Sequence, residues 1–233
     1  MIKLLVVLLA TFSFTFAHAD AAKVKAALQK KYPQFENIEQ VHKANILGLY
    51  EVVMQGQLFY TDEKTQYLIV GNIIDLKTNR NLSEERSRKL FAIDFDKLPF
   101  ELAIKKVTGS GQRKMAQFTD PNCGFCKRLE QELSKVSDIT LYSFLHPALP
   151  GSDEIVQNVL CSNNPVKAWD DWMLDGIAPK KASCDTPTAK VMEFGKTLNV
   201  TGTPTLIFAD GVIVPGFIPA AEIEKALNGT PGK

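Results

Sequence analysis

One stretch constrains this chain more than any other: an apolar, β-prone run at residues 115–119 is broken by Asp120-Pro121-Asn122, and a helical pattern begins at Cys123-Gly124-Phe125-Cys126. Beyond the break, Phe125, Leu129, Leu133 and Val136 are spaced as one helical face, which predicts a helix over residues 123–136. The Cys-x-x-Cys pair is thereby predicted on a first helical turn. Unpaired backbone N–H groups and the positive end of the helix dipole stabilise an anion there. The anion on offer is the Cys123 thiolate, the form that attacks disulfides. Cys123 is therefore read as the nucleophile and Cys126 as the thiol that resolves what it forms. Neither intervening residue is a histidine, so stabilisation of the sulfur falls mainly to the helix end.

Two other readings of the pair compete. Zinc takes four ligands, but Cys161 and Cys184 form no second Cys-x-x-Cys, and outside the first residues only His42 and His146 remain. No metal is expected. A purely structural Cys123–Cys126 disulfide is the second, and the strand–turn–helix context argues for a redox motif instead.

Lys3, an apolar run over residues 4–16 and Ala17-His18-Ala19 have the layout of a secretory signal peptide over residues 1–19. The run is short for a membrane span, and no other stretch is long and apolar enough, so no membrane insertion is expected after cleavage. Export suits an even number of cysteines, four in all. The chain has 27 basic and 26 acidic residues, and loss of Lys3 with the leader balances them. There is no dense Lys/Arg tract, so nucleic acid is not an expected partner.

Residues 20–80 are predicted to form a small first domain. Val24, Leu28 and Tyr32 lie on one face of a helix over residues 21–31, ended by Pro33. Strands are predicted at residues 38–42, 48–54, 58–61, 67–70 and 73–76, with a hairpin turn at Asp62-Glu63-Lys64. This is a helix on an antiparallel meander, with His42 in an ordinary sheet role. A core of that size without a disulfide is marginal and gains by associating. Residues 70–76 offer a sheet edge for pairing with a second copy, so a homodimer through residues 20–80 is expected.

Residues 81–112 are predicted to be a linker. Asn81 followed by Glu84 is a helix-start signal, and Thr108-Gly109-Ser110-Gly111 reads as a loop. From residue 113 to 233 strands alternate with helices. Residues 115–119 and 139–145 form a βαβ pair around the Cys-x-x-Cys helix. A helical insertion follows over about 152–188, with Val166, Trp169 and Met173 as a core stripe. A helix carrying Val191, Phe194 and Leu198 comes next. Asp210-Gly211 predicts a type I′ hairpin, and a helix over 220–227 follows. The fold class is mixed α+β and α/β.

This order, with Cys-x-x-Cys on the first helix, resembles the thioredoxin fold. Val200-Thr201-Gly202-Thr203-Pro204-Thr205 resembles that family's cis-proline loop. The resemblance implies that Thr203 and Pro204 face the cysteine pair, with Thr203 offering backbone hydrogen bonds to an extended substrate. Proline holds a cis bond at modest cost and has no N–H to satisfy, although an ordinary trans turn proline fits the local sequence equally. Together with the leader, the first domain, Leu58-Phe59-Tyr60-Thr61, Thr119-Asp120-Pro121-Asn122-Cys123-Gly124-Phe125-Cys126 and Val214-Pro215-Gly216, the chain resembles the DsbC family of periplasmic disulfide isomerases. That family usually has tyrosine where Phe125 stands.

The resemblance implies a dimeric periplasmic enzyme without cofactor that rearranges wrong disulfides in misfolded exported proteins, kept reduced by a membrane reductase of the DsbD type. The alternatives are an exported reductase that protects single cysteines and a holdase chaperone with secondary redox activity; a dithiol oxidase does not fit the first domain. If Cys123 and Cys126 are the redox pair, Cys161 and Cys184 are the other, a structural staple across the insertion worth about 3 kcal/mol. His146 and Asp120 are read as turn residues.

Overall fold

The structure, a computed structural model, describes residues 15–35 and 37–229. Residues 1–14 of the expected signal peptide lie outside the described residues. The chain forms two compact units, one ending at Leu90 and the other beginning at Phe91.

In the first unit, helix α1 (Thr15–Lys31) begins upstream of the predicted start at residue 21. Val24 and Leu28, one turn apart, are its buried pair. They pack with Ile38, Tyr50, Val52 and Met54. These residues come from β1 (Ile38–Lys43) and β2 (Tyr50–Met54), which continue into β3 (Gln57–Thr61) and β4 (Leu68–Ile69) as an antiparallel sheet in sequence order. The predicted turn after β3 is built by the Asp62 carboxylate, which accepts from the N–H groups of Lys64 (3.1 Å), Gln66 (2.7 Å) and Tyr67 (2.9 Å).

The sequence pattern misplaces two features of this unit. Residues 70–76 do not form one continuous edge. A two-residue strand, β5 (Ile74–Asp75), pairs with β6 (Arg80–Asn81) in a separate hairpin, because the Asp75 carboxylate binds the Lys77 N–H and the Thr78 hydroxyl and turns the chain back. The helix read as part of the linker, α2 (Leu82–Leu90), belongs to the first unit. Arg86 pairs with Glu51 of β2 at 2.7 Å, and Ser83 hydrogen-bonds the Tyr60 hydroxyl at 2.7 Å. With α1 on one face and α2 on the other, β2 is buried at every position rather than at alternate ones. Asn81 does cap α2, accepting from the Glu84 N–H at 3.0 Å.

The second unit is a five-stranded sheet in the order β11-β10-β8-β9-β7. Its elements are β7 (Ile104–Thr108), β8 (Arg113–Thr119), α3 (Gly124–Leu133), β9 (Ile139–Leu145), α4 (Ser152–Leu160), α5 (Pro165–Asp175), α6 (Thr188–Thr197), β10 (Thr205–Phe208), β11 (Ile213–Pro215) and α7 (Ala220–Gly229). β8 and β9 pair in parallel around α3, and the remaining pairings are antiparallel. The linker reading also fails here: β7 is an edge strand of this sheet, and Phe95 and Leu98 lie in its core.

Cores lie on both faces of the sheet. Met115, Leu129, Leu206 and Ile223 join β8, α3, β10 and α7 on one face, while Phe118, Phe144, Val191 and Ile207 join the sheet to α6 on the other. The predicted stripe on α5 is core at Trp169 and Met173, which are 3% and 2% exposed. The hairpin after β10 differs from the predicted type I′. Gly211 alone adopts positive φ (+82°), and its N–H donates to the Phe208 carbonyl (2.8 Å), which makes a three-residue loop with a glycine bulge. A Cβ on Gly211 would lie 1.9 Å from the Ile93 carbonyl oxygen, so the close approach of segment 91–93 also demands glycine.

Candidate active site

The site is assembled where β8 runs into α3. At the strand end, the buried Asp120 carboxylate accepts four hydrogen bonds: Oδ1 from the Asn122 N–H and the Ser152 hydroxyl, both at 2.7 Å, and Oδ2 from the N–H groups of Ala148 (2.7 Å) and Leu149 (2.9 Å). Its backbone carbonyl accepts from the Cys123 N–H at 3.2 Å. One residue thus shapes the turn into α3 and clamps the segment after β9 onto it. His146 adds a backbone bond from its N–H to the Thr119 carbonyl at 2.8 Å. Its ring is buried edge-on against Phe118, and burial holds it below the usual imidazole range, so it is a neutral anchor within the turn.

Cys123 is the N-cap of α3, and its sulfur accepts from the Cys126 N–H at 3.4 Å. The helix start therefore aims a backbone donor at this sulfur. The Cys123 thiol also lies 3.3 Å from the Thr203 carbonyl, to which it donates. The Thr203–Pro204 peptide bond is cis. Cys123 and Cys126 are both free thiols; Cys123 is 7% exposed and Cys126 is fully buried. Burial pushes the Cys126 thiol up to about 12, and its contact with Cys123 acts in the same direction. The two sulfurs are therefore unlike: one slightly exposed with a backbone donor aimed at it, the other fully enclosed and holding its proton.

Cys161 and Cys184 form a disulfide with Cα atoms 5.6 Å apart, at the far end of α4. Gln157 donates to the Cys184 carbonyl at 2.8 Å across it. No group of three or more His, Cys, Asp or Glu side chains among the described residues is placed to hold a metal ion.

The predicted helical face is corrected at one position. Leu129, Leu133 and Val136 are buried, but Phe125 is 58% exposed. Starting the helix at Gly124 puts Cys126, Leu129, Glu130 and Leu133 on the inner face and turns Phe125 outward. There the Arg128 guanidinium lies 5.8 Å from the Phe125 ring and 4.8 Å from the Phe217 ring. Trp172 lines the other side, donating to the Pro121 carbonyl (2.8 Å) beneath the Lys127 ammonium (4.4 Å from the ring).

Two family models match the chain, one described as a disulfide bond isomerase protein N-terminal domain over residues 15–84 and the other as a thioredoxin-like domain over residues 100–230. The probable thiol:disulfide interchange protein DsbC of Bordetella avium is 39% identical over 208 residues, which is 88% of this chain and 75% of that protein. The chain belongs to the DsbC family. Its counterpart in Bordetella parapertussis is 44% identical over 181 residues, 77% of this chain, and the chain spans 65% of that relative's length. The crystal structure of a disulfide interchange protein from Neisseria gonorrhoeae superposes with a TM-score of 0.56 at 37% identity, covering 58% of this chain and all of that one.

Against this family background, two features of the site had escaped the pattern reading. Asp120 holds four donors drawn from three places in the sequence, and nothing local announces this. Glu130, deep in the inner face of α3, bonds Gln117 and Trp169. Its signal was a charged residue four positions after Cys126, inside a stripe that had to be buried.

Proposed function

We propose that this chain is a thiol-disulfide interchange protein that rearranges incorrect disulfides in misfolded exported proteins. The observation that carries the reading is the Cys123 sulfur, seated at the start of α3 against the Cys126 N–H and beside the Thr203 carbonyl of the cis-proline loop. In this mechanism the Cys123 thiolate attacks a wrong disulfide and forms a mixed disulfide, releasing one substrate thiolate. That thiolate attacks elsewhere in the substrate until a stable pairing expels Cys123. When rearrangement stalls, Cys126 attacks Cys123, which frees the substrate and leaves the enzyme oxidised. Thr203 and Pro204 line the path of the substrate chain, and Phe125, exposed at its edge, offers it an apolar contact. The Cys161–Cys184 bridge has a structural role.

The oxidised enzyme needs an outside dithiol, and the family resemblance supports a membrane reductase of the DsbD type as that partner and the periplasm as the compartment. Among the described residues no helix is long and apolar enough to cross a membrane. Two copies associate through residues 20–80. The exposed Tyr67, Val70 and Leu76, at 70%, 72% and 91%, together with the open edge of β4, support this reading.

Refolding of a scrambled multi-disulfide protein tests the function. The wild-type chain restores activity to the substrate and Cys123→Ala does not. Full rescue by Cys123→Ala would identify a holdase instead. Freshly isolated protein with the Cys123–Cys126 pair reduced is expected; an oxidised pair points to an oxidase.

A further inference from the structure

Two cations of α3 stand beside Cys123, and each rests on aromatic rings rather than on a carboxylate. The Arg128 guanidinium lies between the Phe125 ring (5.8 Å) and the Phe217 ring (4.8 Å), and the Lys127 ammonium lies over Trp172 (4.4 Å). A ring face attracts a cation and narrows the positions that its long side chain explores. It satisfies none of the N–H donors, which stay open to an anion. The acidic residues of the same elements are engaged elsewhere. Glu130 is buried against Gln117 and Trp169. Glu132, one turn beyond Arg128, accepts from the Lys135 ammonium and the Ala220 N–H. On α5, Asp170 pairs with Lys106 and Asp171 with Lys167. Among the described residues no ion pair uses Lys127 or Arg128.

The two charges flank the reacting sulfur. Lys127 is one helical turn after Cys123, and its N–H donates to the Cys123 carbonyl at 3.1 Å, so the two residues share a face of α3. Trp172, under the ammonium, is fixed to the turn before Cys123 by its bond to the Pro121 carbonyl. Phe217, against Arg128, follows Gly216, whose N–H donates to the Pro204 carbonyl at 2.8 Å. One charge is thus tied to the turn and the other to the cis-proline loop. A chain that passes Thr203 to bring its sulfur to Cys123 comes near both. The guanidinium edge matches a carboxylate with two parallel bonds, and the rings hold it ready in that place. With 27 basic and 26 acidic residues in the whole chain, no strong overall field steers a partner. The attraction is local, reaching roughly 8 Å at physiological salt.

We propose that Lys127 and Arg128 are specificity-determining residues that favour substrate segments with an acidic side chain within a few residues of the cysteine that Cys123 attacks. The inference rests on the nucleophilic role given to Cys123 above. In the step, the Cys123 thiolate bonds to the substrate sulfur, the substrate S–S bond breaks, and its other sulfur leaves with the electron pair as a thiolate. The two cations touch none of these bonds. They hold the carboxylate of the approaching segment and so raise the encounter rate of acidic segments over neutral or basic ones.

The test mixes the full reduced chain in a stopped-flow instrument with three peptides: Glu-Gly-Cys-Gly-Glu and its counterparts with glutamine or lysine at both ends. Each has blocked termini and carries its cysteine as a 2-pyridyl disulfide. Attack by Cys123 on the peptide sulfur releases pyridine-2-thione, a neutral chromophore common to all three. The wild type reacts fastest with the glutamate peptide and slowest with the lysine peptide. The span is about tenfold at an ionic strength of ~0.02 M and shrinks below about twofold at ~0.5 M. Lys127→Gln combined with Arg128→Gln brings the three rates within about twofold at low salt. Any general effect of the two charges on Cys123 is shared by the peptides and cancels in the ratio. Equal wild-type rates overturn the proposal, as does a glutamate preference that survives the double substitution or the higher salt. Those results leave Cys123 as the nucleophile, whereas thione release that persists in Cys123→Ala overturns that role itself. Should the double variant fail to fold, the wild-type salt series decides the matter.

Discussion

Replacing Asp120 by asparagine probes the turn on which the cysteine pair stands. The native carboxylate satisfies the N–H groups of Asn122, Ala148 and Leu149 and the Ser152 hydroxyl. An amide does best with its oxygen toward the two N–H groups of Ala148 and Leu149 and its NH2 toward Asn122 and Ser152. The Ser152 hydroxyl can reverse and accept, but the Asn122 N–H cannot. One charge-assisted bond becomes a donor–donor contact, and the others lose the charge. With hydrogen bonds to charged groups worth about 1.5–3 kcal/mol and neutral ones about 0.5–1.5, one bond lost and three weakened remove about 5–7 kcal/mol. Relief from burying a charge offsets part of it, which leaves about 2–4 kcal/mol. In a chain of this size that lowers Tm by about 10 °C. Thermal unfolding of the reduced protein by circular dichroism measures it, and Asp120→Ala, which abandons all four donors, falls further. Loss of the Asn122 bond also loosens the turn, so Cys123 alkylation at fixed pH slows. An Asp120→Asn protein within about 0.5 kcal/mol of the wild type would refute the idea that this carboxylate holds the site together.

Three further outcomes follow from the same geometry. Cys161→Ala combined with Cys184→Ala lowers stability by about 3 kcal/mol in chemical denaturation, the worth of closing a loop of this length, without changing the alkylation rate of Cys123. Gly211→Ala costs about 2–4 kcal/mol in the same assay, because a Cβ at positive φ collides with the Ile93 carbonyl. Buried His146 titrates below its ordinary value of 6.5, so on acidification the unfolded chain takes up the proton first. Its contribution to stability is complete above that value and falls away below it until the folded-state ring also protonates; His146→Phe flattens the acid side of a stability-versus-pH curve.

The segments that were legible beforehand share one property: neighbours in sequence settle them. The strand end at Thr119, the break at Pro121-Asn122 and the helical period after it placed Cys123 on a first turn, and the structure has it there as the N-cap. The Asp62 turn and the Asn81 cap were readable because both are made by a side chain and backbone a few residues away. The pattern misjudged Phe125, since a helical period is fixed only to within a residue or so of its start. Beginning α3 at Gly124 hands the inner position to Cys126 and leaves the aromatic ring in solvent.

By itself, then, the amino-acid order determined the redox chemistry on offer, the β-to-α setting of the two active sulfurs, and the meander of the first unit. These depend on period, turn residues and caps, which act over one or two helical turns. Only the tertiary structure decided that residues 91–112 complete the second core, that Asp120 gathers donors as far away as Ser152, and that Glu130 sits between Gln117 and Trp169. Each of these is a meeting of residues far apart in the chain. A buried carboxyl finds its partners through the packing of the whole unit, and no local pattern records which distant donor will face it.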